Sequence, residues 1–227
     1  MADGKYSSRV IGEGVAGAAA IASTILLLPI TRPWYRKWGA SDYEVQQSLP
    51  GDDLAPRARS EITIAITIQA PAARVWPWLM QIGCQRAGWY SYDLLDNGGV
   101  PSAEWIVDTY QHLEIGDEVP FTPDGNMGFP VAAIEPGRAL VLGGTMNTTA
   151  GQPADPNDPN LEEYISGTII LFLYELDDRT TRLIYRSSLG WNPSWRNTLM
   201  YRVFLEPINF VMARKMLLGI KQRVEAA

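Results

Sequence analysis

From Gly14 to Ile30 the chain reads GVAGAAAIASTILLLPI, seventeen residues without a charge. Away from water such a run must satisfy its own backbone, and an α-helix does so internally. At about 1.5 Å per residue it extends roughly 25 Å, slightly short of a bilayer's hydrocarbon core. Extending it back to Val10 reaches the needed length but takes in Glu13. Lys5 and Arg9 precede the run, and Arg32, Arg36 and Lys37 follow it. Trp34, Tyr35 and Trp38 lie among the following cations, and such amphipathic rings favour a membrane–water interface. A secretory leader would end in a small-residue cleavage site, and LLLPITRPWY offers none. Residues 1–38 are therefore read as a transmembrane anchor helix that holds the chain, single-pass, in the plasma or inner membrane. Gly14, Ala18 and Ala22 lie four apart, a spacing at which small residues let a second helix approach in lipid. They are the candidate packing face for a transmembrane protein partner. Counting the free amine, the two flanks carry equal positive charge, which leaves the side of the body open, with the cytoplasmic side preferred.

The rest of the chain is a different material. Hydrophobic residues make up 46% of the 227-residue sequence and charged residues 19%, enough for a packed core. A net charge of −6 argues against a nucleic-acid surface, which needs a basic stripe. One cysteine, Cys84, excludes an internal disulfide and a multi-cysteine zinc site. One histidine, His112, leaves a single candidate imidazole and no histidine-rich metal site. No phosphate loop, nucleophile elbow or paired-metal spacing appears, and no cofactor is expected.

Residues 39–60 are polar and proline-containing and read as a linker, with a short helix capped by Ser41 or Asp42. EITIAITIQ, Glu61 to Gln69, alternates as a half-buried strand does. Pro71 suits a helix start, and AARVWPWLMQIG puts Val75, Trp78, Leu79 and Ile82 on one face before Gly83 stops it. Ser102 is placed to cap a short helix through Gln111. GDEVPF reads as a turn and strand. FPVAAIEPGRALVLGG reads as two strands joined at Glu135-Pro-Gly137, and GTIILFLYEL with TRLIYRSSLGW as a hairpin around Asp177-Asp178. Residues 147–163 are acidic and proline-rich, an exposed loop. Ser194 to Glu225 has helical spacing, interrupted at Glu206-Pro207. Strands segregated from helices in this way indicate an α+β domain with an antiparallel sheet.

These same stretches resemble a known family. ITIAITIQAPAARVWPWLMQIG, GWYSYDLLDN, IEPGRALVL, TTRLIYRS and RKMLLGIK are similar to the SRPBCC superfamily. It comprises the helix-grip proteins, among them START lipid-transfer domains and polyketide cyclases, and the likeness is to a bacterial, polyketide cyclase-like subgroup. The resemblance implies that residues 61–227 form a curved antiparallel sheet of seven strands around a long carboxy-terminal helix. It also implies an apolar internal pocket, closed at one end by the segment Val75 to Asn97.

Aromatic and methionine side chains suit such a pocket because they combine bulk with a polar handle or with adaptability. The candidates are Trp78, Trp89, Tyr90, Tyr92, Phe172, Tyr185, Arg186, Trp191, Met200 and Phe204. Tyr185 and Arg186 have opposite strand parity, so one points inward, and an exposed arginine on the outer sheet face is the simpler placement. Asp93 and Glu104 are the only acid–base pair considered; each serves equally well as a cap or a surface ion pair. Cys84 and His112 read as packing and surface residues. The chain is read as a membrane-anchored, non-catalytic binder of a hydrophobic small molecule or lipid. Accessory-subunit and cyclase-like roles are the alternatives.

Overall fold

A computed structural model describes residues 3–226, with side chains from residue 8 onward. Two amino-terminal helices come first, α1 (Asp3–Leu26) and α2 (Leu28–Tyr35), then a short α3 (Asp42–Gln46). The body follows as β1 (Ser60–Ile68), α4 (Ala72–Met80), α5 (Asp93–Asp96), β2 (Glu118–Pro120), β3 (Gly128–Glu135), β4 (Ala139–Asn147) and β5 (Gln152–Pro153). The hairpin β6 (Tyr164–Asp177) and β7 (Thr180–Trp191) and the helices α6 (Trp195–Thr198) and α7 (Glu206–Ala226) complete it. The seven strands form one antiparallel sheet in the order β1-β7-β6-β4-β3-β2, with β5 paired to β4. The fold is the expected α+β helix-grip arrangement, a sheet closing on a long carboxy-terminal helix.

Strand alternation divides the apolar residues between two layers. Ile62, Ile64, Ile66 and Ile68 of β1, Leu171 and Leu173 of β6, and Leu183 and Tyr185 of β7 share a core with Phe210, Leu217 and Ile220 of α7. Their neighbours of opposite parity, Ala65, Val141, Ile170, Phe172 and Ile184, form a second cluster with Leu49. The strand expected to be half-buried is therefore covered on both faces. The cover comes from residues 39–54, which lie on the convex side of the sheet. Residues 36–38 also run along the free edge of β1: the amides of Thr63 and Ala65 donate to the carbonyls of Arg36 and Trp38, at 2.9 and 3.1 Å. Backbone pairing of this kind blunts an edge strand.

Two expected helices differ from what is found. The helix expected from Ser102 to Gln111 is a loop with one 3₁₀ turn at Asp108–Tyr110. Its backbone is held by a buried side chain distant in sequence. Gln81 accepts from the Val107 amide at 2.9 Å and donates to the Trp105 carbonyl at 3.2 Å. The interruption expected at Glu206-Pro207 is no break. The helix runs on from Trp195 to Ala226, but widens to π-helical turns over Leu199–Leu205, just before the proline. Proline brings no amide to bond and crowds the preceding turn, and a widened turn accommodates both.

Candidate functional site

The interior between the sheet and α7 is filled by side chains. Ile64, Leu79, Leu140, Leu171 and Leu217 are fully buried there. Tyr35 of α2 enters the same layer, completely buried, and stacks on Phe210 with centroids 5.0 Å apart.

At the amino-terminal end of α7 this entry is locked by charge. Glu206 is buried and accepts from Arg32 Nε at 2.8 Å, Arg32 Nη2 at 3.1 Å, Tyr35 Oη at 2.7 Å and the Ser60 hydroxyl. Burial alone would raise its pKa, but Arg32, Ser60 and Tyr35 together hold the carboxyl below its ordinary value. The chain between α1 and the sheet is thus clasped to the body through a carboxylate whose acceptor positions are in use.

The segment between α4 and α5 is strained. Gly83 has φ +121°, and two non-glycine residues, Gln85 and Tyr90, sit at φ +58° and +56°. Such conformations persist only where surrounding contacts impose them. Tyr90 is held by its amide, which donates to Ser102 Oγ at 3.1 Å, and by its ring, edge-on to Trp78 with centroids 5.7 Å apart. Ser102 Oγ in turn donates to Asp93 at 2.5 Å. The Cys84 thiol donates to the Asp96 carbonyl at 2.7 Å, and burial pushes its pKa up, the opposite of a reactive thiolate. Burial, reinforced by Asp93, pushes the Asp96 carboxyl up to about 7 against the pull of the Ser91 hydroxyl. Asp96 Oδ1 and Trp89 Nε1 are both buried without a hydrogen-bond partner. No local signal in the sequence marks Asp96, because its environment comes from packing.

A surface groove of about 390 Å³ lies between α4, the 104–106 loop and the end of α7. Ala73, Pro77, Trp78, Ile106 and Val224 give it apolar walls, Trp105 stands 67% exposed beside them, and Arg74 and Glu104 contribute charge. Arg74 is committed to the Val224 carbonyl at 2.9 Å. The groove is open to solvent and its walls are mostly apolar.

The pocket candidates do not gather at one place. Trp78, Trp89, Tyr90 and Tyr185 are in the core, with the Tyr185 hydroxyl donating to Asn209 at 2.6 Å. Trp78 alone also lines the groove. Tyr92 lies under α1, and Trp191 is buried against Tyr201 with centroids 5.1 Å apart. Phe172 belongs to the convex cluster. Met200 and Phe204, within the π-helical turns, point outward, 58% and 43% exposed.

Arg186 corrects the simpler placement given above: it is on the outer face but buried. It pairs with Asp52 at 2.7 Å and donates to the carbonyls of Gln47, Glu44 and Val45 and to Thr63 Oγ1. The segment 44–52 folds over it. His112 is exposed, as expected. The small-residue stripe divides. Gly14 sits against Leu94, and a Cβ at Gly17 would meet the Tyr92 ring at 2.7 Å, whereas Ala18 and Ala22 face outward.

Among the described residues no cluster of three or more His, Cys, Asp or Glu is placed to hold a metal ion. One helix, Ser8–Leu26, is long and apolar enough to cross a membrane. No family model and no curated protein matches the chain. Solved structures that resemble it include a protein from Mesorhizobium loti, 13% identical, with a TM-score of 0.42 over 74% of this chain and 98% of that one. A protein from Nitrosomonas europaea is 15% identical, with a TM-score of 0.40 over 73% and 94%. The Zhui aromatase/cyclase of a Streptomyces species is 14% identical, with a TM-score of 0.33 over 73% and 93%. Likeness at this level assigns no function.

Proposed function

We propose that this chain is a membrane-attached, non-catalytic binding domain for an apolar small molecule or lipid. The guest lies in the surface groove beside Trp105, not between the sheet and α7. The groove is the observation that carries the reading, since it joins apolar walls to a charged edge in a body whose interior is full. The absence of turnover rests on Asp93 and Glu104, and on Asp96, whose raised carboxyl is not among the residues lining the groove. Asp93 is committed to Ser102, and Glu104 stands exposed at the groove without a second acid–base group among its lining residues. General acid–base work needs a group tuned by its surroundings and within reach of the substrate.

Mass spectrometry of an organic extract of the purified full-length chain tests this. A lipophilic molecule should be retained by the wild type and reduced about tenfold by Trp105→Ala, the loss expected when roughly 1.4 kcal/mol of apolar contact is removed. An extract without such a molecule, or one indifferent to Trp105→Ala, overturns the groove assignment. The exposed Met200 and Phe204 favour a second reading, an accessory subunit docked through that helix. It requires co-migration with a larger complex on a native gel.

A further inference from the structure

Of the twenty large apolar side chains left exposed among the described residues, eleven lie on α1, on α2 with its flanking Leu27, and on the segment 195–205. The outward line of α1 runs through Ile11, Val15, Ala18, Ala22 and Leu26. α2 continues it with Ile30 and Trp34, which are 78% and 56% exposed. Arg32 then reaches Glu206, the residue after Leu205, so the two apolar stretches meet at the clasp. Leu94 and Leu95 of α5, 42% and 43% exposed, flank α1 on the body.

The inner line of α1 is already in use. Gly14 and Gly17 are buried against Leu94 and Tyr92, and Glu13 pairs with Lys215 of α7 at 3.4 Å. A spanning helix is surrounded by hydrocarbon or by other membrane segments. Here crossing the bilayer would carry the Glu13–Lys215 pair and α5 in with it, or strip α1 from the body. A helix with one apolar face outward and the other packed on a soluble body lies in the membrane plane instead.

Charge points to the kind of surface. Residues 8–38 and 194–205 contain six cations in a chain of net charge −6. Arg32 is taken by Glu206, Arg9 pairs with Glu13 and Lys37 with Asp42, and Arg36, Arg196 and Arg202 have no acidic partner among the described residues. Trp34 and Trp195, both exposed, stand among these cations, and Arg196 lies over the Trp195 ring at 5.5 Å. Aromatic rings beside arginines match the headgroup level of a membrane, and cations there attract anionic lipid.

We infer that α1, α2 and the segment 195–205 form a single docking face for the surface of an anionic lipid bilayer, with α1 lying in the plane of the membrane. This rests on the membrane-attached reading above and gives it a lipid class and a topology.

Two measurements on the full-length chain test it. In flotation with phosphatidylcholine vesicles, added phosphatidylglycerol should raise the bound fraction. The paired change Met200→Asp and Phe204→Asp should lower it about tenfold. Both side chains are exposed, so the melting temperature should hold. Binding indifferent to phosphatidylglycerol and to the paired change overturns the docking face, as does co-migration with a protein complex that is lost on the same change while vesicle binding is kept. Separately, an impermeant maleimide is applied to right-side-out and inverted membrane vesicles carrying Ala2→Cys or Asp178→Cys. Cys84 is buried, and the unaltered chain reads its background. Both added thiols should label from the same side. Labelling from opposite sides overturns the in-plane topology while leaving membrane attachment intact, whereas a wholly soluble chain overturns attachment itself.

Discussion

The convex face of the sheet and the outward face of α1 with residues 195–205 are both apolar, yet the chain treats them in opposite ways. On the convex face it folds residues 39–54 over Ala65, Val141, Ile170, Phe172 and Ile184, buries Arg186 and half-buries Arg182 beneath that cover. Glu44 accepts from Arg182 at 2.8 Å and from the Tyr174 hydroxyl at 2.8 Å. Its burial is outweighed by Arg182, the Ser41 amide and Tyr174, which bring its carboxyl down to about 2. On the outward face of α1 no cover is supplied among the described residues. The first face is built for cohesion, and its arginines are each paired with a carboxylate. The second is proposed above to meet a membrane, and its charges lie around an apolar centre.

The largest way to break this contrast is to open the covered face. Arg186→Ala removes the donor shared by Asp52, three carbonyls and Thr63. Asp52 keeps the Leu49 amide, while the carbonyls of Glu44, Val45 and Gln47 lose the guanidinium. Breaking a buried pair from one side costs about 3–5 kcal/mol. Chemical denaturation should show a loss of that order, and a loss under about 1 kcal/mol would mean that the cover is loose in solution.

Next in size is a pH effect from Asp96, whose helix α5 seats α1. The folded carboxyl titrates near 7, above its unfolded value, so between about pH 4 and 7 the native state holds the proton and the unfolded state releases it. Stability therefore falls as pH rises through that window and is lowest above it. Asp96→Asn keeps the shape without the charge. It should flatten the slope and stabilise the chain at pH 8, by up to about 4 kcal/mol if the whole shift is expressed. A variant that melts in parallel with wild type from pH 4 to 8 would show that Asp96 is solvated.

Gly14→Leu is smaller. A side chain at that position meets Leu94, and overpacking of this kind costs about 1–3 kcal/mol. The effect should appear as faster hydrogen exchange confined to α1 and α5.

Legibility in the sequence followed the same division. The strand at Glu61, the helix at Ala72, the hairpin at Asp177 and the long terminal helix all carry their own periodicity, so each could be read locally. Arg186 could not, because what buries it is a polar stretch that reads as a linker until Glu44 and Asp52 find their partners across the fold. The 103–111 loop was misread as a helix for the same reason, since Gln81 takes the backbone groups that a helix would have used. The aromatic segment from Val75 to Asn97 was legible as a wall but not as a site. Only packing distinguishes Trp78, which borders the groove, from Tyr90, which is wedged beneath it. The uncharged run was legible as an apolar helix, but its two faces were not. Glycines look alike in sequence whether they face lipid or Leu94.

The smallest effect is the sharpest on that last point. Ala22 lies on the same helix as Gly14, two turns further along, and faces outward. Ala22→Leu adds apolar surface where the body makes no demand, so the melting temperature should stay within the change that about 0.5 kcal/mol produces. Vesicle binding should rise instead, because the added carbons enter lipid. If Gly14→Leu and Ala22→Leu destabilise the body equally, α1 has no bare face and the contrast fails. If only Gly14→Leu does so and only Ala22→Leu strengthens binding, the two sides of one helix have opposite tasks, one toward the body and one toward the membrane.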